Sequence, residues 1–176
     1  YFAFLIIAVF ISGLMVGRTP EFLGRKVEAR EMKIATLVVL LHPFLILVGT
    51  GISAAVAAAN PEIGWLNNPS FHGLSEMLYE YTSSAANNGS GFEGLGDNTP
   101  FWNISCGIMG RYFPIVGQVA IAGLLASKKC IPESAGTLRT DTGTFSLMTF
   151  AVIIIVAALS FFPAQALGPI ADYLSF

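Results

Sequence analysis

Asn87-Asn88-Gly89-Ser90-Gly91 carries the most unusual chemistry in the chain. None of the five side chains is charged, so an ion held there is held by backbone. Glycine adopts positive φ and lets carbonyl oxygens turn toward one point. Carbonyl oxygens so arranged replace the hydration shell of K⁺. A loop without carboxylates fits a weakly held monovalent ion better than Ca²⁺, which draws on Asp and Glu. Among these residues, Asn87, Asn88, Gly89 and Ser90 are the candidate ligands, through main-chain oxygens.

Other residues invite other chemistry. Arg111 falls near the centre of an apolar segment, where a charge costs at least ~2.5 kcal/mol and normally faces a pore or pairs with an acid. The ordinary alternative is an arginine that snorkels or sits at a helix break. His42 admits a role as proton relay or ligand, against a packed interfacial group. An intramembrane enzyme would use His42, His72 or Cys106, but no second catalytic group stands at a sensible spacing. Gly89-Ser90-Gly91-Phe92-Glu93-Gly94 matches G-x-G-x-x-G, yet a dinucleotide site needs a strand before it, a helix after it and a distant acid. Here a polar helix precedes and Leu95-Gly96-Asp97-Asn98-Thr99-Pro100 follows, so that reading is discarded. The acceptor patterns at Asn88 and Asn103 fall in the loop and in a span. No metal-ligand cluster, nucleophile elbow or phosphate-binding loop motif occurs, and no nucleic-acid partner is expected. Cys106 and Cys130 read as free thiols.

The elements that position this loop follow from composition. The chain has 176 residues, 54% hydrophobic and 11% charged, with a mean hydropathy of +0.68. An average soluble domain is about 25% charged, so these values indicate an all-α polytopic membrane protein. Residues 1–17 read as most of a transmembrane helix, stopped at Gly17-Arg18-Thr19-Pro20. The opening Tyr1-Phe2-Ala3-Phe4-Leu5 has no basic n-region and reads as the inside of a helix, so the chain is expected to be the carboxyl-terminal part of a longer protein. Residues 18–33 form a polar connector with a short amphipathic helix, open to a partner subunit or lipid headgroups. A span over 34–59 contains His42-Pro43. Apolar residues at Phe71, Leu74, Met77, Leu78, Tyr81 and Ala85 recur at helical spacing. The helix they predict over 71–86 is about 24 Å long at 1.5 Å per residue, short of a crossing. It reads as a re-entrant half-helix, with a loop at 87–91 and a return span over 100–127. A second connector covers 128–143, a final span 144–167, and a tail 168–176 beyond Pro163 and Pro169.

Charge sets the topology. Of nine Lys and Arg, five lie in the first connector and three in the second; the ninth is Arg111. Residues 60–98 contain neither, but hold Glu62, Glu76, Glu80, Glu93 and Asp97. Positively charged loops stay inside, which places both connectors in the cytoplasm and the acidic insertion and the tail outside. An acidic vestibule concentrates cations. Span, half-helix, loop and span together make one module of the potassium-channel-like transporter superfamily. The half-helix points the negative end of its dipole toward mid-membrane.

Several stretches resemble the potassium-binding A-subunit family of bacterial Kdp potassium-transporting ATPases. They are Gly73-Leu74-Ser75-Glu76-Met77-Leu78-Tyr79-Glu80-Tyr81-Thr82-Ser83-Ser84-Ala85-Ala86-Asn87-Asn88-Gly89-Ser90, Val16-Gly17-Arg18-Thr19-Pro20-Glu21-Phe22-Leu23-Gly24, Gly110-Arg111-Tyr112 and Ala166-Leu167-Gly168-Pro169-Ile170. The resemblance implies ten spans in four pseudo-repeats of span, pore helix and span, each giving one strand to a shared filter. This chain would hold the last helix of the third repeat, the whole fourth repeat and a final span. Gly89 would be its filter glycine, and Arg111 would match a family arginine near the ion path. The resemblance further implies selective K⁺ binding from outside, ATP hydrolysis on a P-type B subunit, small C and F subunits, and the bacterial inner membrane. The A subunit is then no enzyme by itself. A passive or ion-coupled K⁺ transporter without an ATPase is the alternative.

Overall fold

The computed structural model describes residues 1–68, 70–160 and 162–175. Pro69 of the predicted Asn67-Asn68-Pro69 turn, Phe161 of the predicted last span and Phe176 of the predicted tail lie outside them. The fold is mostly helical. Three helices are long and apolar enough to cross a membrane, Ala29–Ala59, Pro100–Ala126 and Gly143–Ser160. The first apolar helix, α1 (Phe2–Val16), has 15 residues and is about 22 Å long, short of a full crossing.

The chain divides into two compact units. One comprises Tyr1–Leu40 and Ile115–Ala157. Its core gathers Ile6, Val9, Val27, Ala35, Ile121 and Phe145. Helix α1 ends at Gly17, whose φ of 70° closes the last turn. The predicted amphipathic helix in the first connector is absent. Instead β1 (Glu21–Phe22) and β2 (Arg25–Lys26) form an antiparallel hairpin. Leu23 and Gly24 both have positive φ, 52° and 68°, the geometry of a two-residue hairpin turn whose twist matches the strands. Helix α2 (Ala29–Ala59) begins immediately after. The second connector is bonded to the first: the Ile131 amide donates to the Gly24 carbonyl at 2.8 Å and the Thr19 amide to that of Gly136 at 3.1 Å.

The other unit comprises Leu41–Pro114 and the chain from Ala158 onward. Its core holds Ile46, Trp65, Met77, Leu78, Tyr81 and Trp102. Trp65 stacks on Phe101 at 4.8 Å and meets Trp102 edge-on at 5.3 Å. Helix α3 (Phe71–Ala85) buries Met77, Leu78, Tyr81 and Ala85, the apolar stripe of a 3.6-residue period. Its buried Glu76 takes the Asn67 and Asn68 amides at 3.2 and 2.9 Å and the Asn68 side chain at 2.7 Å. The preceding turn is thereby pinned to the helix. The Tyr81 hydroxyl lies 3.0 Å from Ser53 Oγ and 3.0 Å from Ser105 Oγ, and its ring lies against Gly49, where a Cβ would collide with it.

The return helix is not regular. It opens with α4 (Pro100–Trp102), continues as a π-helical segment over Asn103–Met109, and becomes α5 (Gly110–Ala126). Gly107, Gly110 and Pro114 weaken the ordinary ladder there, since proline lacks a donor and glycine favours no helix. The last apolar helix, α6, is described over Gly143–Ser160. Two short helices follow, α7 (Phe162–Gln165) and α8 (Leu167–Leu174). Pro169 stands in the first turn of α8, where a missing donor is harmless. This proline therefore starts a helix rather than ending one, and most of the predicted tail is helical. Helix α8 lies on α3: a Cβ on Gly168 would meet Ser75 Oγ at 2.5 Å and the Phe71 carbonyl at 3.0 Å.

Candidate functional site

The loop after α3 begins with a helix stop made by its own sequence. Asn87 has φ 59°. The Asn87 amide donates to the Ser84 carbonyl at 3.0 Å and the Asn88 amide to that of Ser83 at 3.1 Å. These are the paired bonds of a Schellman stop, with asparagine in the left-handed position usually given to glycine. The chain therefore leaves the helix at a fixed angle. Residues 86–94 are exposed. Among the described residues, no hydrogen bond ends on the carbonyls of Asn87, Asn88, Gly89, Ser90 or Gly91. These oxygens are free to accept, and they follow the negative end of the α3 dipole.

Gly89 has φ +77°, and a Cβ there would lie 3.8 Å from Arg111 Nη2. Arg111 itself is exposed. Both line a cleft of about 190 Å³ together with Ser90, Gly91, Glu80 and Asp97. The structure thus brings Gly89, Ser90 and Arg111 to one cleft, while Asn87 and Asn88 are not among its lining residues. Gly110 packs on the end of α3, 3.3 Å from the Ala85 amide nitrogen as measured from its would-be Cβ. The start of α5 and the last turn of α3 are therefore in close contact.

Three side chains of α3 grip the far limb of the loop. Ser83 Oγ and Ser90 Oγ are 2.8 Å apart, and the Tyr79 hydroxyl lies 3.2 Å from Ser90 Oγ. The Tyr79 ring meets Phe92 edge-on at 5.5 Å. Glu80, 7% exposed, accepts the Phe92 amide at 3.3 Å. Sequence reasoning counted Glu80 and Asp97 only as outer-face charge. The signal was present: Glu80 shares the helical face of Glu76, Met77 and Tyr81, so it had to be buried with them.

The remaining candidates lie elsewhere. His72 pairs with Asp172 at 3.5 Å. His42 is half-buried within α2. Cys106 is buried in the π-helical segment, Cys130 is exposed, and both are free thiols. Among the described residues, no group of three or more His, Cys, Asp or Glu is placed to hold a metal ion.

A mostly helical fold with, among the described residues, three helices long and apolar enough to cross a membrane is that of a polytopic membrane protein. The chain belongs to the family of potassium-transporting ATPase A subunits, KdpA, whose sequence model matches residues 1–174. It is 75% identical to the potassium-transporting ATPase potassium-binding subunit of Parabacteroides distasonis over 183 aligned residues, covering 99% of this chain and 32% of that protein. Similarity extends to the subunits of the same name from Bacteroides fragilis, at 73% identity with 99% and 32% covered, and Geobacillus kaustophilus, at 55% with 96% and 30% covered. The chain spans about a third of the length of these relatives.

Proposed function

We propose that this chain supplies one of the strands that together form a K⁺ filter in a potassium-import ATPase of the inner membrane. Residues 34–127 are its pore module, with α3 re-entering from outside and Asn87, Asn88, Gly89 and Ser90 offering backbone carbonyls to K⁺. The flanking helices over 1–17 and 144–167 and the connectors over 18–33 and 128–143 complete it. ATP hydrolysis belongs to a separate B subunit, with small C and F subunits as further partners. The names of the relatives support potassium binding and membership in a transporting ATPase.

One observation carries the filter reading: a helix stop that leaves five successive carbonyls unpaired beside a glycine at positive φ. Lipid would not tolerate such backbone, so it must line water or lie against other protein. Bonding between the two connectors supports the re-entrant path. If they share one face, α2 and the return helix make the two crossings between them, and α3 enters and leaves on the other side.

The test uses the full-length subunit with its ATPase partner. Gly89→Asp puts a side chain at φ +77°, a strain of about 1–3 kcal/mol. Half-saturating K⁺ for ATPase stimulation is expected to rise roughly tenfold or more, with weaker discrimination against Rb⁺ and NH₄⁺. Unchanged affinity and selectivity would exclude Gly89 from the filter. A complex that purifies without any ATPase while still carrying K⁺ would favour the passive transporter instead.

A further inference from the structure

We infer that Glu80 is a positioning residue for K⁺ selection, holding the outer limb of the loop at residues 90–92 from behind. The inference rests on the filter reading above and adds the part that fixes the strand's shape. Unpaired carbonyls select an ion only if their spacing is maintained. The loop is exposed, and its glycines give it freedom, so its rigidity has to come from outside the loop.

Glu80 is placed to supply it. Its side chain is buried on a helix that is itself pinned at Glu76 and Tyr81. Oε2 accepts the Phe92 amide at 3.3 Å, and Oε1 faces Ser84 Oγ at 3.5 Å. One carboxyl therefore ties the loop's exit to the turn of α3 from which the loop departs. Gly91 fits between this carboxyl and Asp97: a Cβ there would lie 3.1 Å from both Glu80 Oε2 and Asp97 Oδ2. A larger residue at this position would make the two carboxyls give by a few tenths of an ångström.

Three variants of the full-length subunit, assayed with its ATPase partner, decide the matter. Glu80→Ala removes the acceptor. It is expected to raise half-saturating K⁺ roughly three- to tenfold, the effect of losing one hydrogen bond, and to narrow the preference for K⁺ over Rb⁺. The maximal ATPase rate should stay within about twofold, because the bond acts on binding alone. Glu80→Gln keeps an acceptor oxygen and should restore most of the lost affinity. Gly91→Ala pushes the two acids apart and should raise half-saturating K⁺ in the same direction. Should Glu80→Ala fail to reach the membrane, Gly91→Ala decides alone, a rise supporting the role and no change overturning it. Unaltered affinity and selectivity in Glu80→Ala, or equal loss in Ala and Gln variants, also overturns it. Gly89→Asp separates the two levels. If it weakens K⁺ while Glu80→Ala does not, only the role of Glu80 falls. If Gly89→Asp has no effect, the filter reading falls with it.

Discussion

Arg111 shows how one charge is read against its surroundings. On sequence it stands inside an apolar helix, an expensive place for a guanidinium. In the structure its Nη2 faces Gly89 across a polar cleft that also holds Glu80 and Asp97. On the filter reading proposed above, an arginine beside the loop would repel K⁺ and so limit how far the ion travels or when it leaves. Removing the charge while keeping the length of the side chain tests this. Arg111→Gln is expected to alter transport or its coupling to ATP hydrolysis by about tenfold, given that two charges near a protein surface interact by a few kcal/mol at close range. Assembly, followed by co-purification of the ATPase, should be unaffected. Normal transport kinetics in that variant would reduce Arg111 to a snorkelling residue.

At the scale of elements, the two polar connectors show a lock that composition did not reveal. Lys128 Nζ donates to Glu31 at 2.8 Å, to Glu28 at 3.0 Å and to the Lys26 carbonyl at 3.0 Å. Glu31 is fully buried, so the ammonium is its counter-charge. Lys128→Met leaves that carboxylate buried without a cation and is expected to cost about 2–4 kcal/mol, seen as a lower Tm in detergent. Glu31→Leu added to it should recover part of the loss. Burial pulls the Lys128 ammonium down, but its bonds to Glu31 and then Glu28 outweigh that and hold it above the ordinary lysine value. The stabilisation is therefore complete below about pH 10.4 and is lost as pH rises through the higher folded value. Unfolding of the unaltered protein should therefore show no pH dependence from Lys128 between neutral pH and pH 9. Helix α3 was legible because its apolar spacing is local, and the Gly89 loop because its composition is extreme. The hairpin at Leu23-Gly24 and the helices after Ser160 were not. A proline reads the same in sequence whether it ends one helix or begins the next. Nor was the burial of Glu80 apparent, because net charge counts an acid without asking which face of a helix it shares.

At the scale of the molecule, the reading depends on which segments cross the bilayer. Residues 93 and 130 are separated by one membrane-length helix, Pro100–Ala126, so they must lie on opposite faces if that helix crosses. The topology proposed from the distribution of Lys and Arg has residue 130 in the cytoplasm and residue 93 outside. Cys130 is an exposed thiol and Cys106 a buried one, which gives a built-in reporter for the inner face. A membrane-impermeant maleimide should label Cys130 only after the inner membrane is opened. Glu93→Cys in a Cys130→Ser background places the reporter on an exposed position of the acidic insertion and should be labelled in intact spheroplasts. Labelling of both positions from one side would mean that Pro100–Ala126 does not cross as a whole. The π-helical stretch at Asn103–Met109 would then mark a turning point of the chain, and the loop at Gly89 would lose the return span that a filter strand needs.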